Sequence, residues 1–215
     1  MKTRGFSLLE VLIAMAIVGM ILVAMNSFVF AMGELWGRNA DLRLFDQHVR
    51  AVTRFLQREV DEAALPPSAA ANATPVGIQA ITPQTGVQDN LVTFELTGGC
   101  RLLQWPDKPL PEVVCSLQVR PGEGLLLLWH SRLETTFTSD PPRETVVTPL
   151  VTAMTYDYYD SDFSRWTTET VLRRDNGGNP LAPQRLRLTF TYGKLHRDTV
   201  LTLPTTPQGL PNPGL

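Results

Sequence analysis

A run of uncharged, mostly apolar residues near the amino terminus constrains this chain more than any other feature. Residues 11–32 contain no charged side chain over 22 positions. As a helix that rises about 1.5 Å per residue, the run would be about 33 Å long, which matches the roughly 30 Å hydrocarbon core of a bilayer. A cleaved secretory signal has a shorter apolar core, so a retained membrane-spanning helix is the better interpretation.

Basic residues lie on both sides of this run. Lys2 and Arg4 precede it, and Arg38 and Arg43 follow it. The first pair favours a cytoplasmic amino terminus, because basic residues are retained on the cytoplasmic side of a membrane, whereas the second pair weakens the asymmetry. The charge pattern therefore favours, in part, a single-pass orientation with the rest of the chain on the far side of the membrane.

Composition limits the rest of the chain to one globular domain of moderate size. The protein has 215 residues, of which 43% are hydrophobic and 19% are charged, with a formal net charge of -2. This balance provides no bulk electrostatic reason to bind nucleic acid. The two cysteines, Cys100 and Cys115, form no CxxC pair and no Cys/His cluster at zinc spacing, which excludes a structural zinc finger.

A helical pattern continues beyond the apolar run. One stripe of apolar residues recurs at helical spacing: Leu42, Phe45, Val49, Val52, Leu56 and Ala63. Pro66 and Pro67 end the pattern, because proline cannot continue a helix interior. We therefore predict a membrane-spanning helix over 6–32 that continues as an amphipathic helix over 33–65.

Beyond the prolines the sequence is typical of antiparallel β-structure. Short runs rich in β-branched and aromatic residues are separated by turns that contain glycine and proline. The runs are LVTFEL, VVCSLQVR, LLLLWHSRL, TAMTYDYYD, RLRLTFTY and DTVLTL. We therefore predict an α+β protein, in which the long helix packs on an antiparallel β-sheet head over 66–204, followed by a disordered tail over 205–215.

One of these runs indicates which face of a strand is buried. Alternate positions of RLRLTFTY carry the apolar residues Leu186, Leu188, Phe190 and Tyr192. Such alternation predicts a strand with one face in the core. Gly193 and Lys194 follow it directly and are typical of a tight hairpin turn into the next strand.

The segment from Arg4 to Glu10, RGFSLLE, together with the apolar run after it, resembles the signal of type IV prepilins and type II secretion pseudopilins. The resemblance implies that a membrane-embedded prepilin peptidase removes a leader over 1–5. Cleavage would fall between Gly5 and Phe6, with N-methylation of Phe6. It also implies a pilin-like fold and a place in the bacterial inner membrane, with the head in the periplasm.

Within this group the chain is similar to the minor pseudopilin J of type II secretion systems. The similarity rests on TRFLQREVDEA, LLLLWHSRLE and VTAMTYDYYDSDFSRW, with Trp166 after a late strand and Pro183 before the last hairpin. It implies a structural subunit with no enzymatic activity and no cofactor. The implied partners are other minor and major pseudopilins, the prepilin peptidase, the inner-membrane assembly platform and membrane lipid. A minor type IV pilin of the W type, with an assembly or adhesive role, is the alternative.

Glu10 places a carboxylate at the edge of the apolar run. A charge in this position has an energetic cost that falls towards the membrane surface. The resemblance implies that Glu10 acts in assembly, because it would pair with the amino terminus of a neighbouring subunit. The alternative is a side chain that extends to the cytoplasmic headgroups.

Cys100 and Cys115 flank the proline-rich segment WPDKPLP in two runs with strand character. We predict a disulfide between them, since cross-strand partners can approach closely and both residues follow the membrane span. A closed loop of this length would contribute about 3 kcal/mol to stability. Two buried free thiols are the alternative.

Other candidate sites are weaker. Asp157, Asp160 and Asp162 could collect a hard cation such as calcium, but they lack the loop of an EF-hand, and a strand that ends in a polar turn is the simpler interpretation. His48, His130 and His196 are far apart in sequence and have no metal-ligand spacing. No GxSxG, HExxH or P-loop motif is present, so we predict neither a catalytic residue nor a metal site. An enzyme on a membrane anchor would need the fold to bring a nucleophile and a base together.

Overall fold

The computed structural model describes most of the chain, namely residues 8–64, 74–104 and 108–204, apart from the side chains of 34–39. The helix α1 runs from Leu8 to Asp61 without interruption over 54 residues. The chain forms two compact units, Met1–Gln47 and His48–Leu215. The predicted leader, the linker after α1 and the predicted tail lie outside the described residues.

The first unit is dominated by an apolar stretch of α1. Leu8–Gly33 comprises 26 residues with a mean hydropathy of 2.7, and none of its most apolar window is buried within the protein. Apolar side chains are exposed all around the helix here, which is typical of a segment that meets lipid or other helices. This stretch is long and apolar enough to cross a membrane.

The part of α1 in the second unit has one buried face. Val49, Val52, Leu56 and Val60 are all buried, as the apolar stripe predicts for the first three. The stripe continues through Val60 and not through Ala63, because α1 ends at Asp61. This end lies four residues before the predicted one.

Among the described residues, nine strands form two antiparallel sheets. The first sheet has the order β1-β2-β3-β4-β5 and the second has the order β7-β6-β8-β9. The strands are β1 (Val76–Ile81), β2 (Asp89–Leu96), β3 (Val113–Arg120), β4 (Gly124–Ser131), β5 (Arg143–Thr148), β6 (Val151–Asp160), β7 (Arg165–Glu169), β8 (Arg185–Tyr192) and β9 (Leu195–Thr202). The predicted α+β class is therefore confirmed.

The two sheets bury their strands in different ways. In β4, six consecutive residues from Gly124 to Trp129 are buried, so both faces of the strand are covered. In β8, buried and partly exposed residues alternate, as the sequence pattern predicts, but Tyr192 is exposed, contrary to that pattern. Tyr192 pairs with Leu195 at the hairpin turn, where the strand leaves the core.

Polar side chains of α1 bind both sheets within the second unit. The Gln57 amide accepts a hydrogen bond from Thr202 N at 2.9 Å and donates one to Thr202 O at 2.9 Å, at the outer edge of β9. His48 Nε2 lies 2.8 Å from Thr148 Oγ1 at the end of β5. These bonds cover part of a strand edge that would otherwise be available to another chain.

Three strands are absent from the sequence prediction. These are β1, β5 and β7, which contain five or six residues each and lie at or next to the sheet edges. RETVVT and RWTTE carry mostly polar or charged side chains, so their hydrophobic signal is weak. Their strand conformation depends on pairing with β4 and β6, which a local pattern does not reveal.

Two glycines shape the turn between β3 and β4. Gly122 has φ +84° and Gly124 has φ +89°, a region that residues with a side chain rarely adopt. A Cβ on Gly124 would lie 2.2 Å from the carbonyl oxygen of Thr148, whereas a Cβ on Gly122 would meet no atom within 4 Å. The first position is therefore limited by packing as well as by backbone conformation.

We expect Gly124→Ala to lower the free energy of unfolding by about 3 kcal/mol or more, because β5 must move away from the new methyl group. Gly122→Ala is the matched control and should cost about 1–2 kcal/mol, the cost of the backbone conformation alone. Urea unfolding of the full chain in detergent micelles measures both values. Equal losses would show that the close approach of Thr148 does not matter.

Candidate functional site

The amino-terminal part of α1 is the main candidate site. Glu10 lies in the first turn of the helix and is the only charged residue in Leu8–Gly33. A carboxylate here is favoured by the positive end of the helix dipole. The side chain is exposed on the surface of α1.

Glu10 lies at one end of a shallow apolar groove along the helix. The groove is lined by Glu10, Val11, Ala14, Met15, Val18, Gly19 and Leu22. Ala14 and Gly19 leave room along its floor, and a Cβ on Gly19 would meet no atom within 4 Å. Small residues in membrane helices allow a second helix to approach closely. The groove therefore has the form of a helix-packing face with a carboxylate near its end.

The predicted cleavage site falls outside the described residues. Gly5 and Phe6 precede Leu8, where the described part of α1 begins. Cleavage between them and methylation of Phe6 therefore remain predictions from the sequence. The same holds for the role of Glu10 in assembly, which depends on a second subunit.

The three candidate cation ligands near the end of β6 have other partners. Asp157 is buried and accepts hydrogen bonds from Thr168 Oγ1 at 2.6 Å and Arg187 Nη2 at 2.9 Å. Asp160 Oδ1 accepts the backbone N–H groups of Asp162 at 3.1 Å and of Phe163, which closes the turn to β7. Within the described ranges, no group of three or more His, Cys, Asp or Glu side chains could hold a metal ion.

A polar cluster lies between β4 and β5 in the head. Glu134 forms a two-point ion pair with Arg143, at 2.7 Å and 2.6 Å, and Arg143 also lies over the ring of Trp129. The hydrogen bonds from Arg143 hold the pKa of Glu134 below its usual range. His130 packs on Phe137 with ring centroids 4.1 Å apart, and burial lowers the pKa of His130. The cluster fixes the turn between these strands.

The other two histidines lie elsewhere. His48 is on α1 beside Thr148, and His196 is on β9, where its Nε2 is 3.5 Å from Asp198. The structure therefore separates the three histidines, and each of them has a neighbour that accounts for its position.

The cysteines are close to one another but are not bonded in this structure. Cys100 and Cys115 are both free thiols, and both are buried. Cys115 lies in β3, opposite Phe94 and Trp129, whereas Cys100 follows β2 in a turn. The prediction that both flank the loop in strands is therefore wrong for Cys100, because the chain turns directly after Leu96. The disulfide itself remains a prediction.

Glu59 is a buried residue that the sequence pattern did not reveal. It lies on the last turn of α1 and pairs with Arg58 Nη2 at 3.0 Å. Its carboxylate also hydrogen-bonds with the Cys100 thiol and, after burial itself, contributes to raising the pKa of that thiol. The one available signal was the helical spacing, since the next stripe positions after Leu56 are 59 and 60.

Residues 1–26 match the family model described as the prokaryotic N-terminal methylation motif. No curated protein matches the chain. The matched segment contains Gly5, Phe6 and Glu10 and reaches into the apolar part of α1. The motif and the apolar helix together indicate a membrane-anchored protein with a single span.

The Glu134–Arg143 pair should make stability depend on pH. Because the folded state lowers the pKa of Glu134, its stabilising contribution is present above the pKa of the unfolded glutamate, near 4.3, and disappears as pH falls through the folded value. We expect Glu134→Gln to be about 1 kcal/mol less stable at neutral pH, since the pair is mostly shielded from water. Urea unfolding from pH 7 to pH 3 should show this difference closing.

Asp162→Asn, in the exposed turn after β6, is the control for this experiment. It leaves the Glu134–Arg143 pair intact and should show no comparable closing of the difference on acidification. A constant difference between wild type and Glu134→Gln at every pH would contradict the prediction.

Proposed function

We propose that this protein is a type IV pilin-like subunit and, more narrowly, a minor pseudopilin of a type II secretion system. The observation that carries the proposal is the methylation motif over residues 1–26, which continues into an apolar helix and is followed by two antiparallel sheets. Proteins of this kind are structural subunits. The proposal therefore assigns the chain no reaction and no cofactor.

In this role the protein inserts into the inner membrane with its β-sheet head in the periplasm. A prepilin peptidase removes the first five residues and methylates Phe6. The processed chain then leaves the bilayer and joins a short filament of major and other minor pseudopilins on the assembly platform. Exposed apolar side chains throughout Leu8–Gly33 suit both stages, because lipid surrounds them first and neighbouring helices surround them afterwards.

Glu10 explains how such a filament could fix its register. A carboxylate at the bilayer centre costs about 2.5–3.5 kcal/mol on insertion scales, and less near the membrane edge where Glu10 lies. The amino group created at Phe6 is a positive charge of matching depth in a neighbouring subunit. Pairing offsets the cost of both charges where water is scarce. The groove beside Glu10, with Ala14 and Gly19 on its floor, supports close packing of the second helix.

A minor type IV pilin of the W type is the second candidate. It would use the same motif, helix and Glu10 pairing, and would differ in its filament and in a surface or adhesive role. No geometric feature of the head favours adhesion over assembly. Co-purification with secretion pseudopilins, as opposed to pilus subunits, distinguishes the two.

Processing is the first prediction of this proposal. Co-expression with a prepilin peptidase should yield a chain that begins with N-methylated Phe6, as measured by intact mass and amino-terminal peptide sequencing. Gly5→Val should block cleavage, because a side chain beside the scissile bond prevents close approach of the protease. Gly19→Ala is the matched control and should be cleaved normally, since its Cβ would meet no atom. An unprocessed wild-type chain under these conditions would refute the proposal.

Assembly is the second prediction. Glu10→Leu and the isosteric Glu10→Gln should insert and be cleaved normally but should co-purify with partner pseudopilins about 10-fold less, because the pairing charge is lost. Glu10→Asp, which keeps a carboxylate, should recover part of the yield. Glu34→Gln removes a carboxylate just beyond the apolar stretch and serves as the control. Unchanged co-purification and secretion by Glu10→Leu would exclude an assembly role for Glu10.

A further inference from the structure

The turn that joins β2 to β3 closes over the centre of the first sheet. Glu112 N donates to Thr97 O at 3.0 Å, and Gly99 N donates to Leu96 O at 3.2 Å. A Cβ on Gly99 would lie 1.9 Å from the carbonyl oxygen of Leu110, so the two sides of the turn are in direct backbone contact. The described part of this turn is therefore tightly closed at its base.

The two cysteines lie beneath this closure. Cys115 is 0% exposed and Cys100 is 5% exposed, and the buried carboxylate of Glu59 on α1 adjoins Cys100. The sulfurs are near enough for charge on Cys100 to raise the pKa of Cys115. One element each from the helix, the turn and the sheet therefore meets at this dithiol.

Neither thiol is reactive in the folded protein. Burial raises the pKa of Cys100 to about 11, and burial raises that of Cys115 well above its usual range. Thiol–disulfide exchange needs a thiolate, so the shift at Cys100 leaves about 100-fold less nucleophile than in a free cysteine. The greater reactivity of a more basic thiolate restores only about 10-fold of this loss. Exclusion of the oxidant by the closed turn slows the reaction further.

We propose that Cys100 and Cys115 form a dithiol that an external disulfide oxidises to an intramolecular bond only while the turn between β2 and β3 is open, and that folding then shields the pair. The inference concerns the order of oxidation and folding, and it does not depend on the assembly role proposed above. In the cell, the oxidant would be a protein disulfide in the compartment that receives the head.

The chemistry needs one disulfide as the oxidant. The Cys100 thiolate attacks a sulfur of the external disulfide, which forms a mixed disulfide and releases one thiolate. The Cys115 thiolate then attacks the Cys100 sulfur, which forms the internal bond and releases the second thiolate. Two electrons and two protons pass from the protein to the external disulfide, which becomes two thiols.

The test compares oxidation of the full chain in detergent before and after folding. Reduced protein is exposed to limiting oxidised glutathione, either in denaturant or folded, and the remaining thiols are counted by alkylation and intact mass. We expect the denatured chain to lose both thiols and two hydrogens, with no glutathione retained. The folded chain should react at least about 10-fold more slowly.

Two glycine variants separate closure of the turn from general loss of stability. Gly99→Ala forces the turn away from Leu110 and should speed oxidation of the folded chain. Gly98→Ala is the matched control, since its Cβ would meet no atom within 4 Å, and it should react like wild type. If Gly99→Ala does not fold, oxidation of folded wild type in increasing sub-denaturing urea replaces it, and the rate should rise with urea.

Three results would overturn the inference. The first is oxidation of the folded wild type as fast as that of the denatured chain, which would show that folding does not shield the thiols. The second is a denatured chain that retains two thiols or carries glutathione on each cysteine without an internal bond. The third is a rate in the folded chain that depends neither on the Gly99 substitution nor on urea.

Discussion

A single unbroken helix has to meet two different environments along its length, and the rest of the structure depends on how its surface changes. Over Leu8–Gly33 the surface is apolar on all sides, so this stretch is stable only where lipid or other helices replace water. Over His48–Asp61 the apolar surface narrows to one stripe that is buried. The same backbone geometry thus serves as an anchor in one unit and as a core element in the other.

The antiparallel sheets gain most of their burial from the central strands of the first sheet. β4 carries four consecutive leucines that are buried, which only a strand covered on both faces can accommodate. The edge strands are shorter and more polar, and Gln57 on α1 occupies backbone positions at the outer edge of β9. Such features limit pairing of the head with other chains through its strand edges.

Buried charges in the head are matched by specific partners. Asp157 is held by Arg187 and Thr168, and Glu95 by Arg132 Nε at 2.8 Å. Removal of one partner from such a pair leaves an uncompensated charge, which is why these pairs specify the packing of neighbouring strands more than they add to stability. Glu59 differs, since its ion-pair partner Arg58 is largely exposed and its other neighbour is the Cys100 thiol. The dithiol and the end of α1 therefore form one connected polar region in the core.

The sequence by itself determined the features whose cause is local. The length of the apolar run, the motif before it, the stripe through Val49, Val52 and Leu56, and the alternation in β8 all follow from residue type and spacing, since helix and strand periodicity act over a few neighbours. The two-residue turn at Gly193 belongs to the same group.

Only the tertiary structure decided features that depend on residues distant in sequence. The strands β1, β5 and β7 form because longer strands pair with them, and Asp157 is bound by Arg187 rather than lying open beside Asp160. The turn after Leu96 moved Cys100 out of a strand and placed it next to Glu59, 41 positions earlier in the printed numbering. A pattern in a short window contains no information about such contacts, because they arise when separate elements are packed together.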